Sequence, residues 1–157
     1  MKKKIMILIG IIAIILIFIF VYHKFNYDNH GKFYLDSKYY SGDSFIKVDN
    51  SDVSIFSSES YVLFTYNHYC SLPIPCETIF EEFMKKYNIS FLSIPIEDFK
   101  KTWIYQKVKY APSIIIVRNG HIVDYLDANS DDDLDKYQDV NEFEKWISKY
   151  IYLKGDK

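Results

Sequence analysis

The start of this sequence lacks two features that would release or re-anchor an exported chain: a cleavage site and a lipid-accepting cysteine. Ile5 to Tyr22 run 18 residues without a charge, directly behind Met1-Lys2-Lys3-Lys4. A cleaved signal peptide carries a shorter apolar stretch that ends in small residues. This one ends in Phe18-Ile19-Phe20-Val21-Tyr22, and no cysteine is placed to take a lipid. At about 1.5 Å rise per residue the stretch spans roughly 27 Å, the lower limit for a bilayer crossing. Isoleucine on every face leaves no polar stripe, which argues against a buried helix of a globular core. The reading is an uncleaved transmembrane anchor over Ile5 to Tyr22. Lys2, Lys3, Lys4 and the amino terminus outweigh Lys24 beyond it, with His23 able to add a little positive charge on that far side. Excess positive charge stays cytoplasmic, so the rest of the chain is expected outside the cell membrane.

Positive charge is also scarce beyond the anchor. The chain has 19 Lys+Arg and 21 Asp+Glu; setting aside Lys2, Lys3, Lys4 and Lys24 leaves 15 against 21, a net charge of −6. Such a domain repels phosphate backbones, which excludes nucleic acid as a partner class. There is no internal repeat and no low-complexity tract beyond the apolar stretch. About 130 residues remain, enough for one domain with a real core. The 15 Tyr and 12 Phe provide large side chains to fill it. Cysteine is limited to Cys70 and Cys76, both in the exported part, where a disulfide can persist.

The organisation that follows is residues 1–24 as cytoplasmic tip and anchor, 25–60 as a juxtamembrane segment of undecided packing, and 61–157 as the domain. Within 25–60, Phe45 to Val48 reads as a short strand and Asp52 to Ser57 as a helical turn. Tyr61 to Tyr66 is a β-rich apolar run, read as a buried strand. A loop from Asn67 leads to a helix expected to begin at Pro75, since proline suits the first helical position. Ile79, Phe80, Phe83, Met84 and Tyr87 repeat at helical spacing, opposite the pairs Glu81–Lys85 and Glu82–Lys86, with Asn88 as the stop. Ile89 to Ile94 alternates like a strand, and Glu97 to Tyr110 is expected to be partly helical. Ser113 to Val117 is a second buried strand. Asn119-Gly120 is a strong hairpin signal, returning through Ile122 to Leu126. Asp139 caps a last helix, with Glu142 three places on to complete a capping box and Phe143, Trp146, Ile147, Tyr150 and Ile151 on one apolar face. A crossover helix between core strands favours parallel pairing, and the Asn-Gly turn adds an antiparallel edge. The fold class is α/β, a mixed sheet flanked by helices.

The strand-loop-helix with Tyr69-Cys70 in its loop, Ala111-Pro112-Ser113 opening a strand, the Asn119-Gly120 hairpin and the closing amphipathic helix resemble the thioredoxin family over roughly residues 61–151. The resemblance implies a cis proline at Pro112 facing the cysteines and Ala111 presenting its backbone to substrate. It further implies that Cys70 is the reactive sulfur and that Cys76 stands in for the resolving one. The spacing departs from the family. Five residues, Ser71-Leu72-Pro73-Ile74-Pro75, separate the cysteines where the family has two. Only Cys76 is then placed at a helix start, where free N–H groups and the dipole favour a thiolate. A prolyl loop can still bring the pair within the 7 Å or so between Cα atoms that a disulfide needs.

Three readings of this pair stand side by side. In the first, Cys70 and Cys76 exchange disulfides with exported proteins. In the second, they staple the loop of a non-catalytic binding or accessory domain. In the third, His68, Cys70 and Cys76 hold a soft metal, though no fourth ligand is apparent. The sequence calls for no cofactor and no resident metal. His68 and His121 read as solvated, and Trp103 and Trp146 as core or partly buried. Asp131, Asp133, Asp135, Asp139 and Glu142 fall at calcium-loop offsets, but Lys136 stands where such a loop requires glycine. Asp127 to Asp135 is therefore read as a solvated acidic connection.

Overall fold

Two apolar, branched runs form the centre of a five-stranded sheet because both their faces are covered. The structure is a computed structural model that describes residues 14–19, 31–67 and 75–155. The strands are β1 (Phe45–Lys47), β2 (Tyr61–Tyr66), β3 (Phe91–Pro95), β4 (Ser113–Arg118) and β5 (His121–Asp127), in spatial order β1-β3-β2-β4-β5. β3 runs parallel to both β1 and β2, whereas β4 is antiparallel to β2 and β5 to β4. The first five residues of β2 and of β4 are buried, as continuous apolar runs demand. β3 departs from the expected alternation: Phe91, Leu92, Ser93 and Ile94 are all buried. It lies between two strands with helices over both faces, so no solvent side is left for polar residues.

The helix α2 follows the α1 turn (Val53–Ser58) and spans Cys76–Tyr87. Pro75 precedes its first residue instead of occupying it. Ile79, Phe80, Phe83 and Met84 are buried, and Asn88, left-handed at φ 50°, closes the helix with its N–H on the Met84 carbonyl. Beyond β3 come a short α3 (Ile96–Phe99), a 3-10 turn at Trp103–Gln106, then α4 (Leu134–Gln138) and α5 (Val140–Ile147) after β5. Phe80 packs edge-on to Phe64 of β2 at 5.2 Å, and Phe83 meets Phe143 of α5 at 5.0 Å, so α2 and α5 share one aromatic layer on the sheet. On the other face the Tyr61 ring meets Phe56 of α1 at 6.1 Å, and the Trp103 indole N–H donates to the Phe56 carbonyl at 3.2 Å.

Two expected surface arrangements differ. Asp139 does cap α5, accepting the N–H groups of Asn141 and Glu142 at 2.7 and 3.2 Å. The reciprocal half of the capping box is missing because the Asp139 N–H already donates to the Asp135 carbonyl at 2.9 Å, the end of α4. Glu142 pairs with Lys145 instead, at 2.6 Å. Lys86 likewise leaves its own helix and binds Glu144 of α5 at 2.6 Å, where Tyr87 donates to the same carboxylate.

From Lys32 on, the segment that sequence leaves undecided is part of the folded unit, which comprises Lys32–Lys157. Phe33 pairs with Ile151: its N–H donates to the Tyr150 carbonyl and its carbonyl accepts from Tyr152, both at 2.9 Å. Phe33, Leu35 and Tyr39 are buried in the core. The Tyr39 hydroxyl donates to Glu59 at 2.6 Å, and burial together with that carboxylate holds the phenol far above its ordinary range. β1 extends the sheet, so this stretch adds both core and edge. The other unit, Met1–Gly31, is helical over residues 14–19, with exposed apolar side chains. Most of the expected anchor, Ile5 to Tyr22, lies outside the described residues; among those described, no helix is long and apolar enough to cross a membrane.

Candidate functional site

The carboxyl ends of β1, β3 and β2, the start of α2 and the loop before β4 meet around a cavity of about 440 Å³. Parallel strands joined by a helical crossover put a helix N-terminus at this end of the sheet, the usual position for a site in an open α/β sheet. Phe64, Tyr66 and Ser93 form its floor, and Lys47 and Glu77 stand at the mouth. Cys76 and Pro112 line the same cavity.

Cys76 is the first residue of α2, where backbone N–H groups lack intrahelical partners and the dipole is positive. Its residue surface is nevertheless only 2% exposed, although it lines the cavity. Ala111–Pro112 is a cis peptide, as the resemblance implied, and both residues are half-buried. The structure thus brings Cys76 and Pro112 to the lining of one cavity. Cys70 and His68 lie outside the described residues. His121 is exposed at the far hairpin and Trp146 is buried, in keeping with their sequence reading.

One residue of this region escaped sequence reasoning. Tyr137 of α4 is buried at 1% exposure, donates to the Leu126 carbonyl at 2.7 Å and lies 3.3 Å from the Pro112 carbonyl. Its ring packs edge-on against Phe80 at 5.9 Å. Burial, and next the neighbouring Cys76, push its phenol well above the usual range, so it stays a neutral donor. Tyr137 ties the proline-bearing loop, the end of β5 and the helix carrying Cys76 to one point. The signal was present in sequence only as a tyrosine just past an acidic run.

That acidic run is a connection. Asp133 accepts the Asp127 N–H at 2.9 Å and pairs with Lys136 at 2.9 Å. Among the described residues no three acidic, histidine or cysteine side chains converge as a metal site. A second hollow of about 320 Å³ adjoins the first, sharing Lys47, Tyr66 and Ser93 and edged by Asp49, Asp52 and Asp98.

No family model and no curated protein sequence matches this chain. Likeness appears among solved structures. A mutant thioredoxin from Halobacterium salinarum is 16% identical, covers 70% of this chain and 93% of its own, and superposes with a TM-score of 0.51. Schistosoma mansoni thioredoxin is 20% identical over 69% of this chain and 97% of its own, with a TM-score of 0.48 that adds no weight. Identity this low speaks to architecture and not to activity. With its parallel β1-β3-β2 core, antiparallel β4-β5 hairpin and flanking helices, the chain has the thioredoxin fold.

Proposed function

We propose that this chain is a membrane-tethered thioredoxin-fold protein that exchanges disulfides with exported proteins through Cys70 and Cys76. The observation that carries the reading is that Cys76, at the start of α2, lines the same cavity as Pro112. The cavity offers an extended segment of a partner room to lie against the sulfur. Cys76 is shielded, which suits a resolving sulfur, and Cys70 is then the one that meets the partner. The Cys70 thiolate attacks a partner disulfide, forming one mixed disulfide and releasing one partner thiolate. The Cys76 thiolate then displaces the second partner sulfur and closes Cys70–Cys76. Two electrons reach the partner, and a separate protein dithiol restores the pair. The tether is the uncharged stretch Ile5 to Tyr22, and the lysine asymmetry directs the domain outward.

The burial of Cys76 is the observation that favours the rival, a non-catalytic binding or accessory domain whose cysteines are a staple. Trapping separates the two. In Cys76→Ser, a model mixed-disulfide donor should leave a stable adduct on Cys70, and the native pair should turn that donor over. A native chain that neither reduces nor oxidises the donor, with no adduct in Cys76→Ser, leaves only the staple.

A further inference from the structure

The Phe33–Ile151 pairing creates a two-segment ribbon with a regular division of sides. Phe33, Leu35, Ile151 and Leu153 are buried; Lys32, Tyr34 and Lys154 are exposed, and Tyr152 is half-buried on the same outward side. Extended backbone alternates its faces, which puts Lys32, Tyr34 and Tyr152 outward, and Lys154 stands exposed in the turn that follows. Tyr34 is 62% exposed, the highest of any large apolar side chain described in the unit. It is not splayed. Its ring stacks on Tyr152 at 4.6 Å, the Lys32 ammonium stands 5.8 Å from the Tyr152 centroid, and the Tyr40 hydroxyl fixes the Tyr152 carbonyl at 2.6 Å.

This face has the composition of a headgroup contact, since tyrosine is apolar along its ring and wet at its tip, and lysine meets anionic phosphates. It is a basic spot on a domain of net charge −6. None of the four outward side chains is a carboxylate, so an anionic surface meets no like charge among them. It is also where the chain enters the unit. Nine residues, 23–31, separate Tyr22 from Lys32, a reach of at most about 32 Å at ~3.6 Å per residue. We propose that Lys32, Tyr34, Tyr152 and Lys154 seat the domain on an anionic phospholipid surface. The nearness of that surface rests on the tether reading. Arg118, whose guanidinium lies 5.1 Å over Phe33, ends β4, and Pro112 precedes its other end. The seated face and the Cys76 cavity therefore lie at opposite ends of the sheet, and partners approach from the aqueous side.

The test uses the full chain in vesicles of phosphatidylcholine with and without phosphatidylglycerol, carrying lipids brominated on the acyl chain. In Tyr34→Trp, the emission gained over the native chain should lose more than half its intensity in the anionic vesicles. High salt, or Lys32→Glu with Lys154→Glu, should restore it. Undiminished emission in anionic vesicles overturns the proposal. Emission shielded from an aqueous quencher yet not quenched by the brominated lipid, and rising with protein density, overturns it too by placing a second copy on the ribbon. Extraction by alkaline carbonate, measured afterwards on the same vesicles, judges the tether separately.

Discussion

Removing the Tyr137 hydroxyl is the most informative single change near the site. Tyr137→Phe keeps the ring against Phe80 and opens no cavity, so only the polar balance changes. The hydroxyl donates one strong bond, 2.7 Å to the Leu126 carbonyl, within a site 1% exposed. Losing a buried hydrogen bond and leaving its acceptor unpaired costs about 1–3 kcal/mol. The Leu126 carbonyl stands on β5, already paired with β4, which puts the expectation at the lower half, about 1–2 kcal/mol. Urea unfolding of the full chain in detergent should show the midpoint falling with an unchanged slope, since the surface exposed on unfolding is the same. The loss should also be constant across neutral pH, because burial and Cys76 hold the phenol neutral there. Tyr137→Leu should lose about 2 kcal/mol more by opening space beside Phe80. A Tyr137→Phe chain as stable as the native one would refute the claim that this hydroxyl ties the Pro112 loop and β5 to α4.

Three further expectations follow from single contacts. A Cβ at Gly120 would sit 2.2 Å from the Ser57 carbonyl oxygen at φ +73°, so Gly120→Ala should cost about 2–4 kcal/mol. Gly155→Ala, at φ +110° with nothing within 4 Å, should cost only the backbone strain, and equal losses in the two would count against a close hairpin contact. Thr65 Oγ1 is the one buried side-chain polar atom without a hydrogen bond among the described residues. Thr65→Val should therefore raise the unfolding free energy by about 1 kcal/mol, read as a higher urea midpoint, and a fall would show that the hydroxyl has a partner. The Glu144 carboxyl is lowered by Lys86 and Tyr87, so its contribution is complete above the ordinary carboxylate pKa and fades as pH falls through the lowered one. Glu144→Gln should flatten that acid limb of stability against pH; an unchanged limb places the titration elsewhere.

What was legible in the sequence was whatever depends on local chemistry. The runs Tyr61 to Tyr66 and Ser113 to Val117 could only be covered strands. Asn119-Gly120, with φ of 47° and 73°, could only be a tight hairpin. Asp139 sits before an apolar stripe and caps it. The pairing of Phe33 with Ile151 was illegible because it joins the two ends of the folded unit through a single bridge, and each alternating stretch is too short to announce a strand. The half-made capping box shows the same limit: Asp139 looked like a complete local motif until the end of α4 took its N–H. At the site, the resemblance picked out Pro112 and Cys76, but Tyr137 was hidden because a lone tyrosine after an acidic run has no periodic signature. The loop from residue 68 to 74, which holds Cys70, lies outside the described residues.

The reduction potential of the Cys70–Cys76 pair tests the central claim most directly. The full chain is equilibrated in graded thiol–disulfide buffers and the fraction of both cysteines open to alkylation is read. Exchange chemistry predicts a potential between roughly −270 and −120 mV, the span of known exchange catalysts. A potential below about −300 mV, where structural disulfides sit, would contradict it and leave the cysteines as a staple on a thioredoxin-fold binding domain.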